Sequence, residues 1–202
     1  MAEAHNLDVP EQLLERNKNW ANDIGEAFFR ESVQGPQVPK VLWIGCIDSR
    51  VPESVITASM PGQILTHRNI ANQFHLDDNN ALSVLSLAIQ PIGVSHIIVV
   101  GHTYCGGVNA CHAAAHGGES IDPNTPLGRW LAPLTALAEE SGLSIPDLVK
   151  ENVCMQVRNV EKSEAVRAAR AEGKNLWIHG WLYQLEAGCL HELIKYGPKN
   201  ML

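Results

Sequence analysis

The chain has 202 residues, 45% of them hydrophobic and 18% charged, with a formal net charge of −7, five cysteines and nine histidines. A domain of this size buries roughly 70% of its unfolded-chain surface, so neither disulfides nor metal is needed merely to keep it folded. The acidic balance, with no stripe of Lys and Arg to neutralise phosphates, excludes nucleic acid and anionic membranes from the expected partners.

Taken in chain order, Leu13, Leu14, Trp20, Ile24, Ala27 and Phe28 recur at near-helical spacing between Pro10 and about Arg30, which predicts a helix. Residues 1–34 are therefore expected to form an N-terminal helical arm on a single domain spanning 1–202. After the loop Gly35–Pro39, the run KVLWIGC over Lys40–Cys46 predicts a buried strand. A short helix over Pro52–Ala58 and a second strand over Gln63–His67 follow. Asp77 or Asp78 can cap a helix from about Asn79 to Gln90, ended by Pro91 and Gly93. Ser95–Gly101 (SHIIVVG) predicts the third strand. The middle reads as helices over Gly107–Ala115, Leu127–Glu140 and Ile145 to about Ala171, the last broken near Cys154. Asn175–Tyr183 is a further strand, and Cys189–Ile194 a weaker strand or a short helix. Strands alternating with helices predict an α/β fold with a mainly parallel sheet.

An odd number of cysteines cannot pair completely within the chain, which favours a reducing compartment. The first eighteen residues are acidic and polar where a signal peptide would be basic and then apolar, and no apolar run approaches a bilayer span. A cytoplasmic protein is expected.

Two cysteine-containing stretches fall where strands end: Cys46-Ile47-Asp48-Ser49-Arg50, and Gly101-His102-Thr103-Tyr104-Cys105-Gly106-Gly107. Ligands of open α/β sheets gather at the carboxyl ends of the strands. If these two strands are neighbours, Cys46, His102 and Cys105 converge. Two thiolates and an imidazole suit Zn²⁺, and three protein ligands leave a fourth tetrahedral position for water or substrate. Gly106 and Gly107 would let a helix begin beside the metal with free N–H groups aimed at an anion. Alone, HxxC is a weak signal, for which ordinary buried Cys and His side chains suffice. Residues two apart in an extended segment share a face, so Asp48 and Arg50 can point into the same pocket as Cys46, as a carboxylate kept ionised by a guanidinium. A nucleophilic cysteine of the phosphatase kind would need Arg six positions after Cys46, where the chain has Pro52.

Together these residues resemble the β-class carbonic anhydrases. The resemblance rests on Cys46-x-Asp48-Ser49-Arg50, Pro61-Gly62, Arg68-Asn69-x-Ala71-Asn72, Gly101-His102-x-x-Cys105-Gly106-Gly107 and His179-Gly180-Trp181-x-Tyr183, and covers about residues 10–197. It implies a mainly parallel sheet with one antiparallel edge strand. It also implies one zinc ion per chain held by Cys46, His102 and Cys105, and a homodimer or homotetramer. The implied reaction is reversible hydration of CO₂ to bicarbonate and a proton, by attack of a zinc-bound hydroxide oriented by Asp48 and Arg50. In many members the same Asp swings onto the metal, which makes Asp48 also a possible fourth ligand. A bacterial and fungal-like subgroup resembles the chain further through Trp43, Arg68 and Tyr183, which there line a regulatory bicarbonate pocket; Leu87 stands where such members often carry Tyr. Relatives that hydrolyse carbon disulfide or carbonyl sulfide share the scaffold, and a non-catalytic zinc protein stabilising an assembly surface is the alternative of another class. Ordinary readings suffice for His112 and His116 as a helix-surface pair, and for Cys111, Cys154 and Cys189 as buried small side chains. The resemblance implies a cleft drawing side chains from both subunits, to which Phe74 or nearby residues are expected to contribute.

Overall fold

In a computed structural model, residues 8–198 are described. Chain contacts divide the molecule into two compact units, 1–37 and 38–202. The first contains α1 (Val9–Ile24) and α2 (Glu26–Ser32). Asp8 caps α1 in a reciprocal box with Glu11, and Pro10 sits in the first turn, where its missing N–H is of no consequence. The single helix expected from Pro10 to Arg30 is thus two, because Gly25 takes φ 91°, a conformation no helix continues through. Trp20 and Phe28 both meet Phe29 edge-on. Residues 1–7 of the expected arm lie outside the described residues.

The second unit is built on β1 (Val41–Cys46), β2 (Ile64–Asn69), β3 (His96–His102), β4 (Trp177–Gln184) and β5 (Cys189–Tyr196), in the order β2-β1-β3-β4-β5. The first four are parallel, and β5 runs antiparallel to β4 at the edge. Its helices are α3 (Glu53–Ile56), α4 (Asn79–Leu87), α5 (Gly106–Ala115), α6 (Pro126–Ser141), α7 (Ile145–Lys162) and α8 (Glu164–Ala171). Alternation along the strands separates two apolar clusters. Leu42, Ile44, Ile97, Val99 and Ile178 pack with buried residues of α4, α7 and α8. Trp43, Ile98 and Val100 belong to a second cluster with Val108 and Cys111 of α5 and Leu131 and Leu134 of α6.

Several boundaries differ from the sequence reading for identifiable reasons. β2 continues to Asn69 because it stays paired with β1 as far as Cys46. α4 stops at Leu87 and widens into a π-turn over Ala88–Ile92 that accommodates Pro91, with the N–H groups of Gly93 and Val94 both on Ala88 O. The long helix from Ile145 breaks at Ser163, not near Cys154: Ser163 has extended backbone, and its hydroxyl caps α8 by accepting from Val166 N–H. Cys189–Ile194 is strand. Phe74, expected to reach a shared cleft, is fully buried in the chain's own core with α4 and α7. Of the three cysteines expected to be buried, Cys111 is; Cys154 is half-buried, and Cys189, opening the edge strand, is exposed. Among the described residues, no helix is long and apolar enough to cross a membrane.

Candidate metal centre

Parallel pairing of β1 with β3 aligns Val41 with His96 and Gly45 with Val100, so the two strands end side by side. Cys46 closes β1, His102 closes β3, and Cys105 is the N-cap of α5 three residues later. Their ligand atoms all lie within 4.8 Å of one another, and all three residues are buried. His102 Nδ1 is 2.9 Å from Thr103 O; a carbonyl only accepts, so Nδ1 carries the proton and Nε2 presents a lone pair to the cluster. That Nε2 is buried with no hydrogen-bond partner. An orphaned imidazole nitrogen facing two sulfurs fits a soft-to-borderline cation such as zinc.

The neighbouring Cys105 thiol lowers the Cys46 pKa well below the thiol range, helped by the N–H groups of Asp48 and Ala71 against the opposing effect of burial. The same contact, with burial and the Cys46 charge, pushes Cys105 up, although the Gly107 and Val108 N–H groups at the start of α5 point at its sulfur. A Cβ at Gly107 would stand 3.0 Å from Ala71 Cβ, so glycine there permits α5 to approach the turn Ile70–Asn72, whereas Gly106 faces open space.

Asp48 and Arg50 lie just beyond β1 and are joined three times. Arg50 Nε and backbone N donate to Asp48 Oδ1 at 2.9 and 3.0 Å, and Nη2 donates to Oδ2 at 2.6 Å. The guanidinium holds the Asp48 carboxyl below the usual carboxylate range. Asp48 Oδ2 is 4.0 Å from His102 Nε2, beside the cluster but outside the group of three converging ligand atoms. Arg50 Nη2 also reaches Tyr104 O at 3.3 Å, tying the β1 loop to the β3 loop.

The three residues of the expected bicarbonate pocket have separate engagements. Trp43 is buried and meets Trp181 edge-on, its indole lying over Gly45, where an added Cβ would be 2.6 Å from Nε1. Arg68 donates to Cys46 O at 2.8 Å and to Asp48 O at 2.6 Å. Tyr183 pairs in register with His102, so at about 3.3 Å per residue and 4.8 Å per strand its backbone is roughly 16 Å from that of Trp43. Leu87 is exposed at the end of α4. His112 and His116 stack with ring centroids 4.2 Å apart, and among the described residues they form no three-ligand group.

Sequence reasoning missed the supports. Thr103 Oγ1 donates to Glu186 at 2.7 Å and accepts from Leu185 N–H, fixing the loop between His102 and Cys105. Nothing local in the sequence marks Glu186, because it is brought there by the β3–β4 pairing.

A family model described as carbonic anhydrase matches residues 41–190. A carbonic anhydrase of Emericella nidulans is 33% identical over 199 residues, 91% of this chain and 82% of that one. One from Saccharomyces cerevisiae is 28% identical, with 96% and 92% covered. Among solved structures, the β-carbonic anhydrase CafA of Aspergillus fumigatus superposes with a TM-score of 0.79 at 34% identity, covering 92% of this chain and 91% of that one. A tetrameric β-carbonic anhydrase of Sordaria macrospora gives 0.83 at 29% identity, with 94% and 100% covered.

Proposed function

The chain belongs to the β-class carbonic anhydrases, enzymes of carbon dioxide hydration, and from that premise we propose that Cys46, His102 and Cys105 hold one zinc ion per chain while Asp48 and Arg50 form the catalytic pair. The observation that carries the assignment is the buried, unpartnered His102 Nε2 facing the sulfurs of Cys46 and Cys105, with all three ligand atoms within 4.8 Å of one another. Zinc, when bound, supplies the Lewis acidity that makes water a nucleophile near neutral pH.

The chain's own groups then do the following. Zinc held by Cys46 and Cys105 as two thiolates would be a formally neutral centre, which makes a hydrogen-bond acceptor beside the nucleophile valuable. Asp48 Oδ2, 4.0 Å from the ligating imidazole nitrogen, is that acceptor, orienting the attacking lone pair toward CO₂. Arg50 keeps Asp48 ionised and would hold it off a bound metal, since both carboxylate oxygens are engaged by the guanidinium. Release of Asp48 from Arg50 would free it to become a fourth ligand and close the site. Gly106 lies at the open end of α5, where an anion can meet the helix N-terminus. Arg68 steadies the segment between ligand and acceptor through the carbonyls of Cys46 and Asp48. An anion bound at Trp43, Arg68 and Tyr183 would compete for those bonds, which couples such a pocket to the position of Asp48.

We assign the chain to a homodimer or homotetramer, as the Sordaria relative is described as tetrameric, and to the cytoplasm. Stopped-flow CO₂ hydration on protein of measured zinc content tests the reading. Activity rising with pH is expected, and zinc-loaded protein inactive at every pH would favour a structural metal instead.

A further inference from the structure

Between His102 and Cys105 the chain is held at Thr103, whose polar groups are all engaged. Tyr183 pairs in register with His102, so the chain leaving β4 runs beside the loop leaving β3. The ladder continues one residue past β3: Thr103 N–H donates to Tyr183 O at 3.0 Å. The Thr103 carbonyl receives the His102 Nδ1 proton at 2.9 Å. Its hydroxyl accepts Leu185 N–H at 2.9 Å and donates to Glu186 Oε2 at 2.7 Å. Those two bonds fix the hydroxyl, and a β-branched side chain has little χ1 freedom of its own. The next residue, Tyr104, turns the chain away with φ 57°, and its carbonyl meets Arg50 Nη2 at 3.3 Å.

The partner of the hydroxyl sits on a tight turn. Glu186 lies between β4 and β5, where the N–H groups of Ala187 and Gly188 close on Gln184 O at 3.2 and 2.8 Å. Gly188, at φ 66°, takes the left-handed position that lets β5 return. Gln184 Oε1 is 2.9 Å from His191 Nε2 on β5. Glu186 is exposed, and water would satisfy its carboxylate about as well as a hydroxyl does. What the bond determines is therefore the setting of Thr103. Held at its N–H and at its hydroxyl, Thr103 directs its carbonyl at the imidazole. That carbonyl selects the tautomer, with the proton on Nδ1 and the lone pair on the buried Nε2 among the converging ligand atoms.

We propose that Thr103 and Glu186 are positioning residues of the metal centre: the Glu186 carboxylate, through the Thr103 hydroxyl, keeps the Thr103 carbonyl on His102 Nδ1 and so keeps Nε2 aimed at the metal. This rests on the assignment of Cys46, His102 and Cys105 as metal ligands. The partner of a ligating imidazole fixes its ring orientation and tautomer, and losing such a partner weakens metal affinity by about 10–100-fold.

The test reads zinc affinity by chelator competition and, in the stripped protein, the ring nitrogens of His102 by nitrogen NMR of the labelled histidines, assigned with His102→Gln. Thr103→Val keeps the shape of the side chain and removes the hydroxyl. Zinc affinity is expected to fall about tenfold, and the pattern of a protonated Nδ1 with an unprotonated Nε2 to give way to an average of both tautomers. Thr103→Ser restores the hydroxyl and should stay within about twofold of wild type. Glu186→Ala should weaken binding in the same direction, and Glu186→Gln, whose amide oxygen still accepts the hydroxyl, should recover it. A purely structural contact would lower the melting temperature of Thr103→Val and Glu186→Ala and leave affinity and tautomer in place, which overturns the proposal. Glu186→Gln as weak as Glu186→Ala overturns it too, because the argument needs an acceptor and not a charge. If Thr103→Val does not fold, the exposed Glu186 pair decides by the same criteria. Zinc affinity unchanged by His102→Gln would instead remove the ligand assignment, and this proposal with it.

Discussion

Replacing Asp48 by Asn tests the catalytic acceptor with the least change of shape. An amide oxygen can keep the bonds from Arg50 Nε and N that Oδ1 now receives at 2.9 and 3.0 Å. Its nitrogen then stands where Oδ2 was, turning a donor toward Arg50 Nη2, which lies 2.6 Å from that position, and toward the region 4.0 Å from His102 Nε2 where the mechanism needs an acceptor. Assistance of this kind contributes roughly 10²–10⁴ in rate. That is about 3–5 kcal/mol of transition-state stabilisation at about 1.4 kcal/mol per decade. Stopped-flow hydration of CO₂, run on wild-type and Asp48→Asn protein with equal zinc, should show kcat/KM lower by about 100-fold or more. Zinc content should be unchanged, because Asp48 is not among the converging ligands. Zinc-loaded Asp48→Asn turning over within about threefold of wild type would refute the assignment.

The same carboxylate gives a pH prediction. Its pKa in the folded protein is depressed by Arg50, so the stabilisation it contributes is fully present above the unfolded value near 3.9 and is lost as pH falls through the folded one. The stability gap between wild type and Asp48→Asn, from urea unfolding, should stay flat from alkaline pH to about 5 and close only in stronger acid; closure near neutrality would contradict this. Gly101→Ala places a Cβ 2.5 Å from Val153 Cγ2 in the packed β3–α7 contact, which should cost about 1–3 kcal/mol by denaturation. Val153→Ala in the same chain should return part of that, and strict additivity of the two losses would count against the clash. Arg68→Ala frees the carbonyls of Cys46 and Asp48, so metal affinity by chelator competition should weaken about tenfold even without added bicarbonate. A change confined to bicarbonate inhibition would place Arg68 in the anion pocket alone.

The ligand cluster was legible because β1 and β3 read as apolar runs ending in Cys46 and next to His102, and strand ends are where an α/β sheet gathers its ligands. Asp48 and Arg50 were legible for the same local reason. The breaks at Gly25 and Ser163 were available in the residue types, a glycine and a capping serine, but apolar periodicity ran through both and hid them. The α7 amides were not singled out, although Asn152 and Gln156 fall on the stripe of buried valines, where a polar residue demands a partner. What they hold was not visible, because Ala71 and Phe74 lie about eighty residues away and meet α7 only through the fold. Arg68 carried a motif-level expectation of anion binding, and its bonds to Cys46 and Asp48 follow from strand register rather than from any local pattern.

The central claim is that catalysis depends on one zinc ion at Cys46, His102 and Cys105. Stripping the protein with a chelator and titrating zinc back, while recording CO₂ hydration by stopped flow, tests it most directly. Activity should be absent from the stripped protein and rise linearly to a plateau at one zinc per chain. Activity that persists without metal, or zinc bound at one per chain with no hydration between pH 6.5 and 9, would contradict the account.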